Sequence, residues 1–517
     1  MIGQIMRTSK RVLLNSGYLY ARMIITLFIS LYTARVILNV LGSSDFGLYN
    51  LVAGITVMLA FINTTLAASS QRFMSYAQGE GKIDRRISIF NISFLIHLIA
   101  SFVILIILVA SAFFIFDGFL NIDPNKIQSA KIVYYNVIII TILNVVSVPF
   151  DAAINAHEDM LFFSILGFVE TVLKFLAALF LSVILFDKLI AYSIGLLLIA
   201  LVIAVSKAVF VLRKYPEAKI SLTRYFDRSI FKEMIYFSGW GFLTSSTSIF
   251  TNYGQNILIN VFFGTKVNAA QGVSGQVIGQ VGSITNVLLK ALNPVIFKSE
   301  GANNNDLFIQ FIKSGSKLAF LSFSIIGIPV IFEMDYLFKL WLKEVPEYAI
   351  AFCRVSMVGF ILGQLTITIE SAISAKGRIK QFTIVKSIMD IVPFFFVWLA
   401  FKKGYPPVSM YVIYLIFEFV RQSIVLYFGK VLCNLDIREY FTEIILTPVI
   451  ISMVAILSIV VIQVFVSPGF GRVVLTSGFS SILTMVLFYY FGFSIRERAI
   501  IDSLLNNLKG RMGLKTK

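Results

Sequence analysis

Long apolar runs follow one another along the whole chain, separated by short polar connections. Fourteen stretches are long enough to cross a bilayer, for which a helix needs about 20 apolar residues. They cover residues 14–40, 47–69, 88–116, 131–152, 160–186, 189–212, 233–259, 267–292, 314–335, 347–375, 380–401, 407–429, 440–466 and 472–494. A transmembrane β-barrel would need short alternating strands instead. The pattern therefore predicts an all-α polytopic membrane protein with 14 transmembrane helices.

Composition narrows this picture further. Charged residues make up 14% of the 517 residues, and the mean hydropathy is +0.87, whereas a soluble domain carries about 25% charged residues. A large soluble domain is therefore not expected. Two cysteines, Cys353 and Cys433, and two histidines, His97 and His157, are too few for a disulfide framework or a cysteine- or histidine-based metal site.

Basic residues predict the orientation of the chain. The net charge of +17 is concentrated at one set of helix ends, including residues 1–11, the connection 213–232 and the C-terminal tail, while acids prevail at the other ends. This is the positive-inside pattern, reinforced by attraction to anionic lipid headgroups, so nucleic acid is not an expected partner. Both termini are predicted to be cytoplasmic, which requires an even number of spans.

An internal repeat predicts how the chain is divided. Residues 16–79 match residues 238–301 without gaps, so that Leu41-Gly42-Ser43 meets Phe263-Gly264-Thr265, and later the run that begins at Asp151 meets the run that begins at Glu370. We expect a six-helix lobe over 1–212, a basic linker over 213–232, a second six-helix lobe over 233–430, and two extra helices with a basic tail over 431–517. Because six spans is an even number, both lobes should have the same orientation and be related by an axis along the membrane normal.

Polar side chains form stripes on three of the predicted helices. At helical spacing they share one face of each helix, and they indicate either a wet cavity or hydrogen bonds between helices. Our candidates for substrate binding are Ser248, Asn252 and Gln255 on the seventh span, Gln276, Gln280, Ser283 and Lys290 on the eighth, and Asn144 and Asp151 on the fourth.

Charged side chains inside the apolar runs are the second set of candidates, since an ionisable group in hydrocarbon indicates a functional site or a paired one. Arg22 and Lys290 have no acid one turn away in their own helices and are the best candidates for a functional cation. Other charges are placed to pair at one turn's spacing, either for ion coupling or for structure alone: Glu170 with Lys174, Lys386 with Asp390, and Glu418 with Arg421.

Catalytic and metal-binding motifs are not evident in the sequence. It shows no nucleophile–histidine–acid arrangement and no HExxH run, and the Gly-rich piece 272–282 lacks the lysine–serine signature of a phosphate loop. We therefore expect a transporter, not an enzyme, without a catalytic residue, a metal or a cofactor. A membrane glycosyltransferase or polymerase is the alternative from another class, although this chain has no long extramembrane loop to carry its active site.

Three motifs resemble a known family. Val40-Leu41-Gly42-Ser43-Ser44-Asp45-Phe46-Gly47-Leu48-Tyr49, Ser70-Gln71-Arg72-Phe73, and Ala152-Ala153-Ile154-Asn155-Ala156-His157-Glu158-Asp159-Met160 are similar to the corresponding segments of polysaccharide repeat-unit exporters, the O-antigen or capsule flippases. These belong to the multidrug/oligosaccharidyl-lipid/polysaccharide exporter (MOP) superfamily, together with lipid II flippases and the multidrug and toxin extruders.

The resemblance implies a fold and a function. The two lobes would form a V around a central cavity, and the protein would move a polyprenyl-diphosphate-linked oligosaccharide from the cytoplasmic to the outer leaflet of the bacterial inner membrane by alternating access. Arg22 matches first-span arginines that face the cavity in relatives. A polysaccharide polymerase and other assembly proteins are the implied partners, besides membrane lipids, and coupling to H⁺ or Na⁺ stays open.

Two alternatives within transport remain, a lipid II flippase and a cation-coupled multidrug exporter. Bacterial drug extruders of the superfamily carry a first-span aspartate, which this sequence lacks. The cations inside the predicted spans favour the flippase on physical grounds. Its substrate carries a diphosphate, to which Arg offers a bidentate fork and Lys offers a point charge. We predict that Arg22 and Lys290 both face the cavity and that the last two spans pack outside the helix bundle.

Overall fold

The computed structural model describes residues 2–57, 60–114, 116, 124–342, 344–499 and 501–502, and in this part of the chain the secondary structure is entirely helical. This confirms the all-α prediction. The N-terminal half contains α1 (Ile2–Val57), α2 (Ala60–Glu80), α3 (Ile83–Phe114), α4 (Ile127–Ala156), α5 (Met160–Phe180) and α6 (Lys188–Lys214). The C-terminal half contains α7 (Arg228–Gly301), α8 (Asn305–Trp341), α9 (Ala349–Gln364), α10 (Ile367–Lys376), α11 (Lys380–Lys402), α12 (Val408–Cys433), α13 (Ile437–Tyr440), α14 (Thr447–Phe465) and α15 (Phe470–Leu487).

Two glycines interrupt the two longest helices at matching points of the repeat. Gly42 in α1 has φ 77° and ψ 169°, and Gly264 in α7 has φ 78° and ψ −175°. This backbone region is essentially restricted to glycine. Each long helix therefore holds two helical segments joined at a glycine, in agreement with the separate first and second, and seventh and eighth, predicted spans.

Ten helices are long and apolar enough to cross a membrane in the described residues, or eleven if the bent pair α9 and α10 counts as one span. The segments of α7, which carry the Ser, Asn and Gln stripes, are not among them. Their polar side chains lower the hydropathy of helices that are otherwise of spanning length, and the total remains consistent with fourteen helices.

The helices pack as two compact units. The N-terminal unit comprises residues 14–242 with 301–303, and the C-terminal unit comprises residues 1–13, 243–300 and 304–517. In the N-terminal unit α4 lies in the core, where the fully buried Tyr134 donates a 2.9 Å hydrogen bond to the carbonyl oxygen of Leu108. In the C-terminal unit, Phe352 and Met357 of α9 are fully buried against α8, α11 and α12.

The last two long helices, α14 and α15, belong to the C-terminal unit and pack against α8. Phe488, which follows α15, is fully buried beside Phe320 of α8 with a 6.3 Å separation between ring centroids. Two π-helical turns occur in this region, at Phe441–Leu446 and Phe488–Gly492.

Candidate functional site

A break in a membrane helix organises the C-terminal unit. The helices α9 and α10 meet at an angle of 48°. At the junction Thr366 leaves the helical region, with φ −129° and ψ 3°. The helix α10 therefore has its own N-terminus inside the unit, and Glu370 lies in its first turn. The positive end of a helix dipole stabilises a carboxylate at that position.

The partner of Glu370 comes from α11. Oε2 of Glu370 lies 2.5 Å from Nζ of Lys386, and both side chains are largely buried. The sequence suggested Asp390, one turn away on the same helix, as the partner of Lys386. The structure assigns Lys386 to Glu370 instead, across the short turn between the consecutive helices α10 and α11.

A second ion pair lies on α12, where the spacing had suggested it. The guanidinium of Arg421 donates from Nε to Oε2 of Glu418 at 2.9 Å and from Nη2 to Oε1 at 2.7 Å. Gln422 also donates to Oε1 of Glu418, and Thr366 donates to Oε1 of Gln422. Gln422 thereby links the ion pair to Thr366, the residue at which α9 and α10 separate.

Two cavities open around these groups. One has a volume of about 470 Å³ and the other about 230 Å³. Both are lined by Asn252, Gln255, Tyr414, Glu418 and Arg421. The larger cavity adds Glu370, and the smaller adds Ser248 and Asp390.

Three carboxylates and two cations lie at these cavities. The carboxylates are Glu370, Asp390 and Glu418, and the cations are Arg421 and Lys386, which is counted because it pairs with Glu370. In the part of the chain that the structure describes, Asp390 has no ion pair within 4 Å, and its charge is balanced only at longer range by Lys386 and Arg421. The cluster therefore carries one negative charge in excess when all its groups are ionised.

The polar stripe of the seventh span lies in this lining, since Ser248, Asn252 and Gln255 contribute to one or both cavities. The stripe of the eighth span lies elsewhere. Gln276 and Gln280 are exposed, Ser283 donates a 2.6 Å hydrogen bond to the carbonyl oxygen of Gln280, and Lys290 is half-buried further along α7. Their proposed contacts with substrate remain predictions.

A different charged cluster lies in the N-terminal unit around Arg22. The Arg22 side chain is half-buried, with Cζ 5.0 Å from the centre of the Phe163 ring. It extends over Gly167, where an added Cβ would lie 2.2 Å from Cζ of Arg22. Glu170 and Asp151 act on it electrostatically, so acids from two other helices compensate a cation that has none in its own helix.

Lysines accompany both of these acids. Lys207 of α6 lies 2.9 Å from Oδ2 of Asp151, and Lys174 lies 2.6 Å from Oε1 of Glu170. The predicted Glu170–Lys174 pair is therefore formed, and Lys207 pairs with Asp151. Asn144, the other candidate on this helix, is exposed. With Arg22 the cluster holds three cations and two acids.

Sequence reasoning missed several residues around the two cavities of the C-terminal unit. Gln364 accepts a 2.8 Å hydrogen bond from Thr285 and lines the larger cavity, and Tyr411 and Tyr414 contribute aromatic walls. An isolated glutamine or tyrosine in an apolar helix gives no periodic signal. Gln422 lies behind this lining and donates to Glu418. It could have been found, because with Glu418 and Arg421 it follows the spacing of one helical face. Among the described residues, no group of three or more His, Cys, Asp or Glu side chains is arranged to hold a metal ion.

Comparison with solved structures identifies the fold. A multidrug resistance MATE family transporter of the MOP superfamily, in an outward-facing conformation, matches with a TM-score of 0.73 at 12% identity, covering 83% of this chain and 97% of the other. MATE in its straight conformation matches with a TM-score of 0.71 at 13% identity, covering 83% and 98%. A MOP superfamily transporter from Pyrococcus furiosus, for which a reversed polarity of the binding pocket suggests a different function, matches with a TM-score of 0.70 at 14% identity, covering 83% and 97%.

No family model matches the chain, and no curated protein matches its sequence. The protein is thus a multi-pass helical membrane protein with the fold of MATE transporters of the MOP superfamily. At these identities the likeness extends to the fold alone.

Proposed function

We propose that the protein is a flippase that moves polyprenyl-diphosphate-linked oligosaccharide repeat units from the cytoplasmic to the outer leaflet of a bacterial inner membrane. The fold supports export by alternating access, and the basic loops support a topology with both termini in the cytoplasm. The glycan would be an O-antigen, capsule or exopolysaccharide unit, in keeping with the motifs shared with repeat-unit exporters.

The observation that carries the proposal is the setting of Arg22. A half-buried guanidinium in a membrane-spanning helix needs a functional reason, and here three cations outnumber two acids. A diphosphate would supply the missing negative charge. It would also accept a bidentate pair of charge-assisted hydrogen bonds, which are roughly twice as strong as neutral ones.

The sugar and the coupling ion would use the other unit. Ser248, Asn252 and Gln255 offer the weak polar contacts that an oligosaccharide needs, and Lys290 would provide a second cation for the diphosphate. Asp390, with its charge balanced only at longer range, is the group at which H⁺ or Na⁺ coupling would act.

A second candidate is a cation-coupled exporter of cationic amphiphiles. The excess negative charge around the cavities of the C-terminal unit favours this second function, because a cation that entered the smaller cavity would pair with Asp390 or Glu418. The likeness to MATE transporters is compatible with this reading.

The two functions are separated by a transport assay in proteoliposomes. Flipping of a synthetic fluorescent polyprenyl-diphosphate oligosaccharide is measured beside uptake of ethidium, with Arg22→Ala as the test variant and Arg35→Ala, an exposed arginine of the same helix, as the control. Arg22-dependent flipping without ethidium transport supports the flippase. Ethidium transport that depends on Asp390, without flipping, would overturn it in favour of the second candidate.

A further inference from the structure

A buried tyrosine connects the helices outside the predicted repeat to the break between α9 and α10. Tyr440, at the end of α13, is fully buried, and its hydroxyl donates a 2.8 Å hydrogen bond to the carbonyl oxygen of Leu365. Leu365 caps α9, where carbonyl groups lack the partners that they have inside a helix. Tyr440 therefore replaces a hydrogen bond of the kind that an unbroken helix would have supplied.

The side chain of Leu365 contacts the same helices. It is 4% exposed and belongs to a hydrophobic cluster with Phe320 of α8, Ile451 of α14 and Phe488 after α15. Residues outside the predicted repeat, namely Tyr440, Ile451 and Phe488, thus contact both the carbonyl group and the side chain at the break.

The hydroxyl of Tyr440 begins a chain of contacts that ends at a second carbonyl. It lies 2.8 Å from Oγ of Ser316, which lies 2.6 Å from Oγ1 of Thr368, and Thr368 donates a 2.6 Å hydrogen bond to the carbonyl oxygen of Ile312. Thr368 is on α10, two residues before Glu370. The chain therefore ties the half-helix that carries the cavity carboxylate to α8 and α13.

Counting protons separates the roles of these hydroxyls. Three hydroxyl groups make four contacts and have three protons to share. Tyr440 and Thr368 each use a proton on a carbonyl, so the Ser316 proton serves only one of its two neighbours. Loss of the Ser316 hydroxyl would leave both carbonyls bonded, whereas loss of the Tyr440 hydroxyl would leave the buried Leu365 carbonyl without this donor.

Buried ion pairs connect α8 to the hairpin α14–α15 and to the residues that follow it. Glu333 of α8 is fully buried and accepts hydrogen bonds from Nε and Nη2 of Arg472 at 3.1 and 3.0 Å. Near the other end of α8, Nζ of Lys317 lies 3.3 Å from Oε2 of Glu497. The hairpin is therefore a rigid support for Tyr440, and not a loosely attached addition.

The backbone around Tyr440 is also unusual. The π-helical turn Phe441–Leu446 follows it directly, and such turns are rare and frequently mark functional positions. Glu439 and Glu443, on either side of Tyr440, pair with Lys313 of α8. These contacts determine the direction in which Tyr440 points.

We propose that Tyr440 is a positioning residue for the larger cavity of the C-terminal unit. Through Tyr440, the hairpin α14–α15 sets the orientation of α10 and hence of Glu370. The inference goes beyond the proposed function, because it concerns the shape of the cavity and holds for any substrate. It gives the two helices outside the repeat a role in the transport cycle, as a support for the break.

Two positions in the same cavity report on the two sides of the break. Ser356 lines it from α9, before the break, and Ile367 lines it from α10, after the break. Single cysteines are introduced at each position in a full-length chain in which Cys353 and Cys433, both buried, are replaced by serine. The rate of reaction with a water-soluble maleimide is then measured in nanodiscs.

Tyr440→Phe should raise the labelling rate of Ile367→Cys roughly three- to tenfold, as expected for the loss of one buried hydrogen bond, and leave Ser356→Cys unchanged. Ser316→Ala should leave both rates unchanged, because both carbonyls keep their donors. Tyr427→Phe, at an exposed tyrosine of α12, is the matched control for loss of a tyrosine hydroxyl.

Glu333→Gln combined with Arg472→Gln tests the hairpin without altering Tyr440, and it leaves no unpaired buried charge. It should also raise the rate at Ile367→Cys only, and it carries the test if Tyr440→Phe yields no folded protein. Unchanged labelling at Ile367→Cys would overturn the inference. So would an equal increase at Ser356→Cys, which would mean general loosening, or an effect of Ser316→Ala as large as that of Tyr440→Phe.

Discussion

The two units place an acid from the same position of the repeat in opposite settings. Asp151 lies in the continuous helix α4, pairs with Lys207, and belongs to a cluster of three cations and two acids. Glu370 lies in the half-helix α10, pairs with Lys386, and belongs to a cluster of two cations and three acids. Matching motifs have therefore acquired charge surpluses of opposite sign.

The source of the cation explains part of this difference. In the N-terminal unit Arg22 extends over Gly167, whose missing side chain leaves the necessary space, and Glu170 and Asp151 act on it electrostatically. In the C-terminal unit Lys386 and Arg421 come from α11 and α12 instead. A cationic cluster suits a diphosphate and an anionic one suits a coupling ion, so we infer that the units divide these two tasks.

The largest expected effect is that of Arg22. Arg22→Ala should reduce flipping by about tenfold or more, since a charge-assisted hydrogen bond contributes about 1.5–3 kcal/mol and about 1.4 kcal/mol corresponds to a factor of ten. Arg22→Lys should restore only part of the rate, because the fork geometry is lost. Initial rates in proteoliposomes at matched protein levels measure this. A wild-type rate in Arg22→Ala would remove the functional contrast between the units.

Gly167→Ala tests the space that Arg22 occupies. An added Cβ would lie 2.2 Å from Cζ of Arg22 and would displace the flexible guanidinium. The thermal stability should stay the same or rise, by up to about 1 kcal/mol, because alanine favours a helix over glycine, while flipping should fall several-fold. The matched control is Gly195→Ala, whose Cβ would make an ordinary 3.7 Å contact with Ala177. Equal flipping rates in Gly167→Ala and Gly195→Ala would contradict the proposal that Arg22 needs the space at Gly167.

The ion pairs of the two units should differ in strength. The side chains of Lys386 and Glu370 are 16% and 27% exposed, whereas those of Lys174 and Glu170 are 45% and 35% exposed. A double-mutant cycle on thermal unfolding should give a coupling free energy of about 1–3 kcal/mol for the first pair, between the surface and buried limits. For the second pair it should give about 0.2–1 kcal/mol. The reverse order would show that the C-terminal pair is screened despite its burial.

The last expected effect concerns a carboxylate of the N-terminal unit outside the membrane-spanning helices. Burial alone would raise the pKa of Glu217, but the 2.5 Å contact with Nε2 of His157 and the charges of His157 and Arg86 lower this pKa below its ordinary value. The stabilisation is therefore fully present above the ordinary pKa of a glutamate and is lost as the pH falls through the lowered value. Glu217→Gln should cost about 0.5–1.5 kcal/mol at pH 7.

The pH dependence of this loss is what thermal unfolding should detect. The difference between Glu217→Gln and the parent chain should shrink as the pH falls from the ordinary carboxyl pKa through the lowered pKa of Glu217, because the parent loses over this range the stabilisation that its carboxylate provides. A difference that stays constant through the lowered pKa would show that Glu217 contributes by shape and not by charge.

How much of the site was predictable differs between its parts. The pair Glu418–Arg421 and the pair Glu170–Lys174 follow from spacing, because residues three and four apart share a helical face. The pair Lys386–Glu370 did not follow, since its partners are on different helices and spacing within one helix suggested Asp390. The contact of Lys207 with Asp151 escaped prediction for the same reason.

The membrane class, the fourteen apolar segments and the matching glycines Gly42 and Gly264 follow from local sequence, because burial in lipid and backbone conformation are local requirements. The position of the break after α9, the helix that neutralises each buried charge and the contact of Tyr440 with the break follow only from the packing of the helices. These depend on side chains that are distant along the chain and meet only when the helices pack, so no periodicity in the sequence reports them.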